Sequence, residues 1–132
     1  MSVPRSIDRI DIGAGPVTLV TNAETVVMVG PMLQTPKDTS FIVVWGTIQL
    51  TPGTSATGAN VRVRLGTTVT GTQVGQNQGQ SGITPAANGT LPFMVSFAAA
   101  FTDYVQVCVT VAQVGATGNG TVVGGVMVTQ SW

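Results

Sequence analysis

Residues 41–66 read FIVVWGTIQLTPGTSATGANVRVRLG. They divide into an apolar strand, a turn-rich connection opened by Pro52-Gly53, and a second strand of strict alternation. In the second strand Val61, Val63 and Leu65 fall on one face and Arg62 and Arg64 on the other, because successive side chains of a strand point to opposite sides. The valines therefore belong to a core and the arginines to solvent or a contact. The first strand changes along its length. Phe41-Ile42-Val43-Val44-Trp45 is apolar on both faces, whereas beyond Gly46 the residues Ile48 and Leu50 alternate with Thr47, Gln49 and Thr51. A strand apolar on both faces is covered on both sides, so the 41–45 segment calls for another sheet or another subunit over its second face.

The same rhythm continues on either side. Residues 17–21, 25–29, 69–74, 91–97, 104–111 and 121–129 read as further strands rich in Val and Thr, which suit a pleated surface. In 104–111 the residues Val105, Val107, Val109 and Val111 share one face. Asn119-Gly120 is a hairpin signal, and Gly124-Gly125 marks a bulge or tight bend in the last strand. Residues 75–89, GQNQGQSGITPAANG, are polar, rich in glycine and free of charge, which reads as a long exposed loop. No run of helix formers is long enough to stand as a helix. Eight short strands in a 132-residue chain predict an all-β fold, an eight-stranded jelly-roll sandwich. An immunoglobulin-like sandwich is the alternative, without the Cys…Trp…Cys spacing that would support it.

Residues 1–15, MSVPRSIDRIDIGAG, differ from the rest. Arg5, Asp8, Arg9 and Asp11 interleave with Ile7, Ile10 and Ile12, and a Gly-Ala-Gly-Pro break separates them from the body. The chain therefore divides into an extended N-terminal arm, residues 1–15, and one strand domain, residues 16–132.

Only 8% of the residues are charged and formal net charge is zero, against about 25% charged residues in an ordinary soluble domain. Mean hydropathy is +0.40. So neutral a surface is poorly protected from self-association, which points to a subunit of an assembly. The five cations, Arg5, Arg9, Lys37, Arg62 and Arg64, form no patch able to neutralise phosphates, so no nucleic acid is expected. No apolar run approaches the roughly 18 residues of a membrane helix, and no basic segment followed by an apolar core marks a secretion signal. Asn88-Gly89-Thr90 and Asn119-Gly120-Thr121 are accordingly read as turns rather than glycosylation acceptors. Cys108 is the single cysteine and reads as a small buried hydrophobe.

The inventory for catalysis is thin. There is no histidine, and the acids Asp8, Asp11, Glu24, Asp38 and Asp103 are scattered. A serine nucleophile would have only Lys37 as a base, and the glycine pairs precede no helix that could cradle a phosphate. Neither an enzyme, a metal site nor a cofactor is expected.

The succession VVMVGPMLQTP (26–36), VVWGTIQLTPGTSATGANVRVRLGTTVTGTQVG (43–75) and DYVQVCVTVAQVGATGNGTVVGGVMV (103–128) resembles the head decoration (cement) proteins and head-fibre tips of tailed bacteriophages. The likeness runs over residues 16–130 and rests on the pattern of strands and glycines. It implies a tumour-necrosis-factor-like jelly roll, a homotrimer made in the host cytoplasm and placed on the outer capsid surface, with the major capsid protein as partner and no catalytic residues. The arm, through Arg5, Ile7, Asp8, Arg9, Ile10 and Asp11, would reach the capsid protein or a neighbouring trimer. Phe41, Val43, Trp45, Tyr104 and Trp132 are the expected contacts between copies. Because no long repetitive shaft precedes the strand domain, decoration is favoured over a fibre. The alternative is a receptor- or glycan-binding tip using the 75–89 loop, since loops on rigid scaffolds carry recognition.

Overall fold

The structure, a computed structural model, describes residues 6–11, 16–34, 41–81, 88–98 and 104–131; for Ser6–Asp11, Gln34 and Ser81 only the backbone is described. Eleven strands occur among them: β1 (Ser6–Asp11), β2 (Val17–Leu19), β3 (Thr25–Val29), β4 (Leu33–Gln34), β5 (Phe41–Thr51), β6 (Gly58–Leu65), β7 (Gln73–Ser81), β8 (Gly89–Ala98), β9 (Tyr104–Val105), β10 (Val107–Val114) and β11 (Gly120–Ser131). One sheet has the order β1-β11-β5-β8, with β2 also on β11; the other has the order β3-β10-β6-β7; β4 and β9 make a two-stranded piece. Every pairing is antiparallel. β2 lies against Gly120–Val122 of β11 and β1 against residues 126–131, so the two share one edge position. With that position counted once, eight strands are divided four and four between two facing sheets, the chain crossing between them except from β6 to β7, and the fold is a jelly roll.

The core lies between the sheets and follows from pleat parity. Ile42, Val44, Ile48 and Leu50 of β5 point inward with Leu91, Phe93 and Val95 of β8, and meet Val61 and Val63 of β6 and Val107, Val109 and Val111 of β10. Each such side chain is worth about 1.5–3 kcal/mol when fully buried. The alternation read in 60–65 and 104–111 is the inward row of the second sheet. Cys108 is buried on the other face of β10, and its thiol points to the Thr68 carbonyl at 3.9 Å.

Several local expectations are corrected. Residues 68–71 form a turn closed by Gly71 N–H to Thr68 O (3.1 Å), and the strand begins only at Gln73. It then runs through Ser81, so the 75–89 segment is not one long loop. Its backbone pairs with β6, from Val61↔Gln78 to Gly58↔Ser81. An edge strand with a solvated face needs no apolar period, and that is why glutamines and glycines concealed it. Residues 82–87 lie outside the described residues. Asn119-Gly120 is not a hairpin turn, because β10 and β11 belong to different sheets. The chain crosses from sheet to sheet there, and side chains hold the corner. Asn119 Oδ1 accepts from Thr21 N–H and Oγ1–H, both at 3.0 Å. Buried Gln113 accepts from Gly53 N–H at 2.6 Å and donates to Gly118 O at 3.3 Å. The expected bulge in β11 falls at Val123, where the register shifts between Val122 and Gly124. Ser6–Asp11, within the stretch assigned to the arm, runs antiparallel to β11 of the same chain.

On the outer face of the second sheet, Glu24 ties three strands together. Arg64 donates to both carboxylate oxygens, Nε to Oε1 and Nη2 to Oε2, each at 3.0 Å. Arg62 Nη1 reaches Oε1 at 3.4 Å and Thr110 Oγ1 donates to it at 2.7 Å. Burial pushes the Glu24 carboxyl up, but the hydrogen bonds from Arg64 and Thr110 and the two guanidinium charges outweigh it, and the net shift is down from 4.5. A carboxyl with a depressed folded value adds stability above its unfolded value and loses it as pH falls through the folded one.

Two outcomes are expected. Glu24→Gln lowers stability near neutral pH by about 1–3 kcal/mol, and denaturant titrations repeated in acid show a shallower loss below the ordinary glutamate range than in the parent. Gly46→Ala costs about 3 kcal/mol, read as a lowered melting temperature, because a Cβ there would lie 1.9 Å from the Val126 carbonyl oxygen in the neighbouring strand backbone.

Candidate assembly surface

The outward row of β5 comprises Phe41, Val43, Trp45, Thr47 and Gln49. Its register sets Trp45 between Met94 of β8 and Val128 of β11, and Val43 between Ser96 and Gln130. Cross-strand neighbours on one face lie close enough for large side chains to pack, and here they leave a shallow, almost wholly apolar depression of about 350 Å³ lined by Phe41, Val43, Trp45, Met94 and Gln130. Met94 is 66% exposed and Phe41 38%. Val43, Trp45, Val126 and Val128 are half-buried. The second face of the 41–45 segment is thus only partly covered within the described residues of one chain.

Phe41, Val43 and Trp45, expected as contacts between copies, are brought together in this depression. Tyr104 is not among its lining residues; it stands in β9 opposite Gln34. Trp132 and Arg5 lie outside the described residues, and of Ile7, Asp8, Arg9, Ile10 and Asp11 only the backbone position in β1 is described. Met94 and Gln130 were not anticipated. The alternation in 91–97 could have shown that Met94 shares a face opposite to Leu91, Phe93 and Val95. Which strand lies beside it depends on topology, which local pattern does not contain.

The electrostatics set the two outer faces apart. Among side chains described, the charged ones are Glu24, Arg62 and Arg64, gathered on the second sheet. The first sheet's depression therefore offers no group for acid–base work. No group of three His, Cys, Asp or Glu able to hold a metal occurs among the described residues. Burial pushes the Cys108 thiol above its usual range, which disfavours the nucleophilic thiolate. No described helix is long and apolar enough to cross a membrane.

No family model matches the sequence, and no curated protein is similar to it in sequence. Solved structures are similar in fold. The structure of infectious bursal disease virus, Gt strain, aligns over 96% of this chain and 33% of that one, with TM-score 0.63 and 13% identity. The T=1 particles derived from infectious bursal virus align over 96% and 31%, with TM-score 0.63 and 13% identity. The sugar-binding EclA C-terminal domain aligns over 89% and 80%, at TM-score 0.46 and 11% identity, too distant to carry an argument. The chain spans about a third of the length of the viral chains. At such identities the likeness shows the β-sandwich fold alone, and function has to be argued from the surface.

Proposed function

We propose that this chain is a structural virion subunit that binds the outer capsid surface as a homotrimer and stabilises the shell, as the tailed-bacteriophage decoration proteins it resembles would do. The observation that carries the reading is the apolar depression on the first sheet, with Met94 66% and Phe41 38% exposed. Contiguous apolar surface of this kind marks an interaction site. Burying it between copies contributes about 25 cal/mol per Å² before the entropy of association is subtracted. Formal net charge is zero, so the copies meet without repulsion. Fold-level likeness to particles of infectious bursal virus agrees with a shell-building role. In this proposal Phe41, Val43 and Trp45 face a neighbouring copy, Tyr104 and Trp132 extend that contact, and residues 5–11 dock on the major capsid protein. No reaction is assigned to the subunit. The receptor- or glycan-binding alternative has less support, since the first seven residues of the segment meant to carry it, 75–81, belong to strand β7.

Trp45→Asp places a charge in the apolar face, where its desolvation costs far more than the hydrogen bonds available. The expected result, by light scattering after gel filtration, is a drop from trimer to monomer with the β-sheet spectrum retained, because Trp45 points away from the core. An unchanged mass would refute the assignment of this face. Deletion of residues 1–12 removes only the edge strand β1 of the first sheet, so the shortened chain is expected to stay folded and trimeric while losing binding to purified capsids. Undiminished capsid binding would remove the arm from the proposal.

A further inference from the structure

The two sheets end in exposed edges, and their sequences treat them differently. Unpaired edges recruit foreign strands unless they are short, charged, bulged or interrupted by proline. β1 carries Asp8, Arg9 and Asp11, and β2 has three residues. β8 contains Pro92. β3 has five residues and a register shift against β10. β7 is nine residues long, QVGQNQGQS, with neither charge nor proline. Its own register shift lies in its first half, where Gly75 takes φ +68° with an added Cβ only 2.6 Å from Val95. The shift spans 75–77, beyond which residues 78–81 pair regularly with β6; Gln76, Asn77, Gly79 and Gln80 are exposed, and no described strand pairs with the outer edge.

A depression of about 330 Å³ opens beside this edge, lined by Thr57, Gly58, Asn60, Gly79, Gln80 and Val114. Asn60 stands between Gly79 and Ala112 in the register, so small neighbours flank its side-chain amide, which makes no hydrogen bond to another described side chain. Strand addition draws affinity from backbone hydrogen bonds and specificity from pockets that take alternate side chains. Both parts are present here.

We propose that the β7 edge is a strand-addition site for β7 of a second copy, paired antiparallel about a two-fold axis, with a glutamine or asparagine side chain of the incoming strand entering the Asn60 depression. Side-chain amides carry donors and an acceptor together, so this strand is complementary to itself, and no charge opposes the pairing. The site belongs to the sheet opposite the apolar face. It would link proposed trimers to one another, yet it does not require the trimer.

The test uses the full chain and the double variant Gln76→Lys/Gln80→Lys, which adds to this edge charge of the kind that β1 carries. Sedimentation velocity across a concentration series and amide hydrogen exchange of residues 76–81 are read together. The expected result for the parent is association growing with concentration, with protection of 76–81 growing in step. In the variant, association shifts to at least about tenfold higher concentration, since like charges face each other across the pair, while melting temperature is retained. Trp45→Asp is expected to leave the concentration-dependent protection of 76–81 in place, which separates this site from the apolar face. Protection of 76–81 that is independent of concentration, or association equal in parent and variant, would overturn the proposal.

Discussion

The pleat of β5 is the constraint on which the rest depends. This strand is paired over ten residues with β11 on one side and over ten with β8 on the other. That double register fixes Ile42, Val44, Ile48 and Leu50 in the core and Phe41, Val43 and Trp45 on the outer face. A slip of one residue would exchange the two sets, placing the Trp45 indole against the valines of β6 and β10. Gly46 belongs to the same constraint: at its position the β11 backbone comes too close for any side chain. The core of the sandwich and the apolar depression on its surface are therefore two consequences of a single alignment.

Charge is distributed with similar economy. Among the described side chains, Glu24, Arg62 and Arg64 neutralise one another in part on the second sheet, and none of the residues lining the depression on the first is charged. A protein meant to remain dispersed spreads ionic groups over its surface; here the three charged side chains that are described form one cluster that clamps β6 and β10 to the start of β3. An apolar outer face set apart from that cluster suits the assembly role proposed above.

Much of this was legible in the residues. The alternation of 61–65 and 105–111 gave the inward rows of β6 and β10, and the two-faced 41–45 segment marked a strand with a second surface to cover. Glycines 124 and 125 located the break in β11. What could not be read was pairing across distance. Nothing local tells that Asn119-Gly120 turns a corner between sheets rather than a hairpin, or that Glu24 meets two arginines about forty positions on. β7 was concealed for another reason: an edge strand satisfied by its backbone leaves no apolar period, and its glutamines mimic a loop. Met94 escaped notice because an apolar residue on the exposed row of a strand stands out only once its neighbours across the sheet are known.

Covalent footprinting of the native chain at micromolar concentration tests the central claim most directly. Within one chain Met94 is 66% exposed and Met32 58%, so brief oxidation of an isolated subunit would modify the two at similar rates. If neighbouring copies cover the outer face of β5, Met94 oxidises several-fold more slowly than Met32 and Trp45 is protected with it. Equal rates for the two methionines, with Trp45 freely modified, would contradict the account.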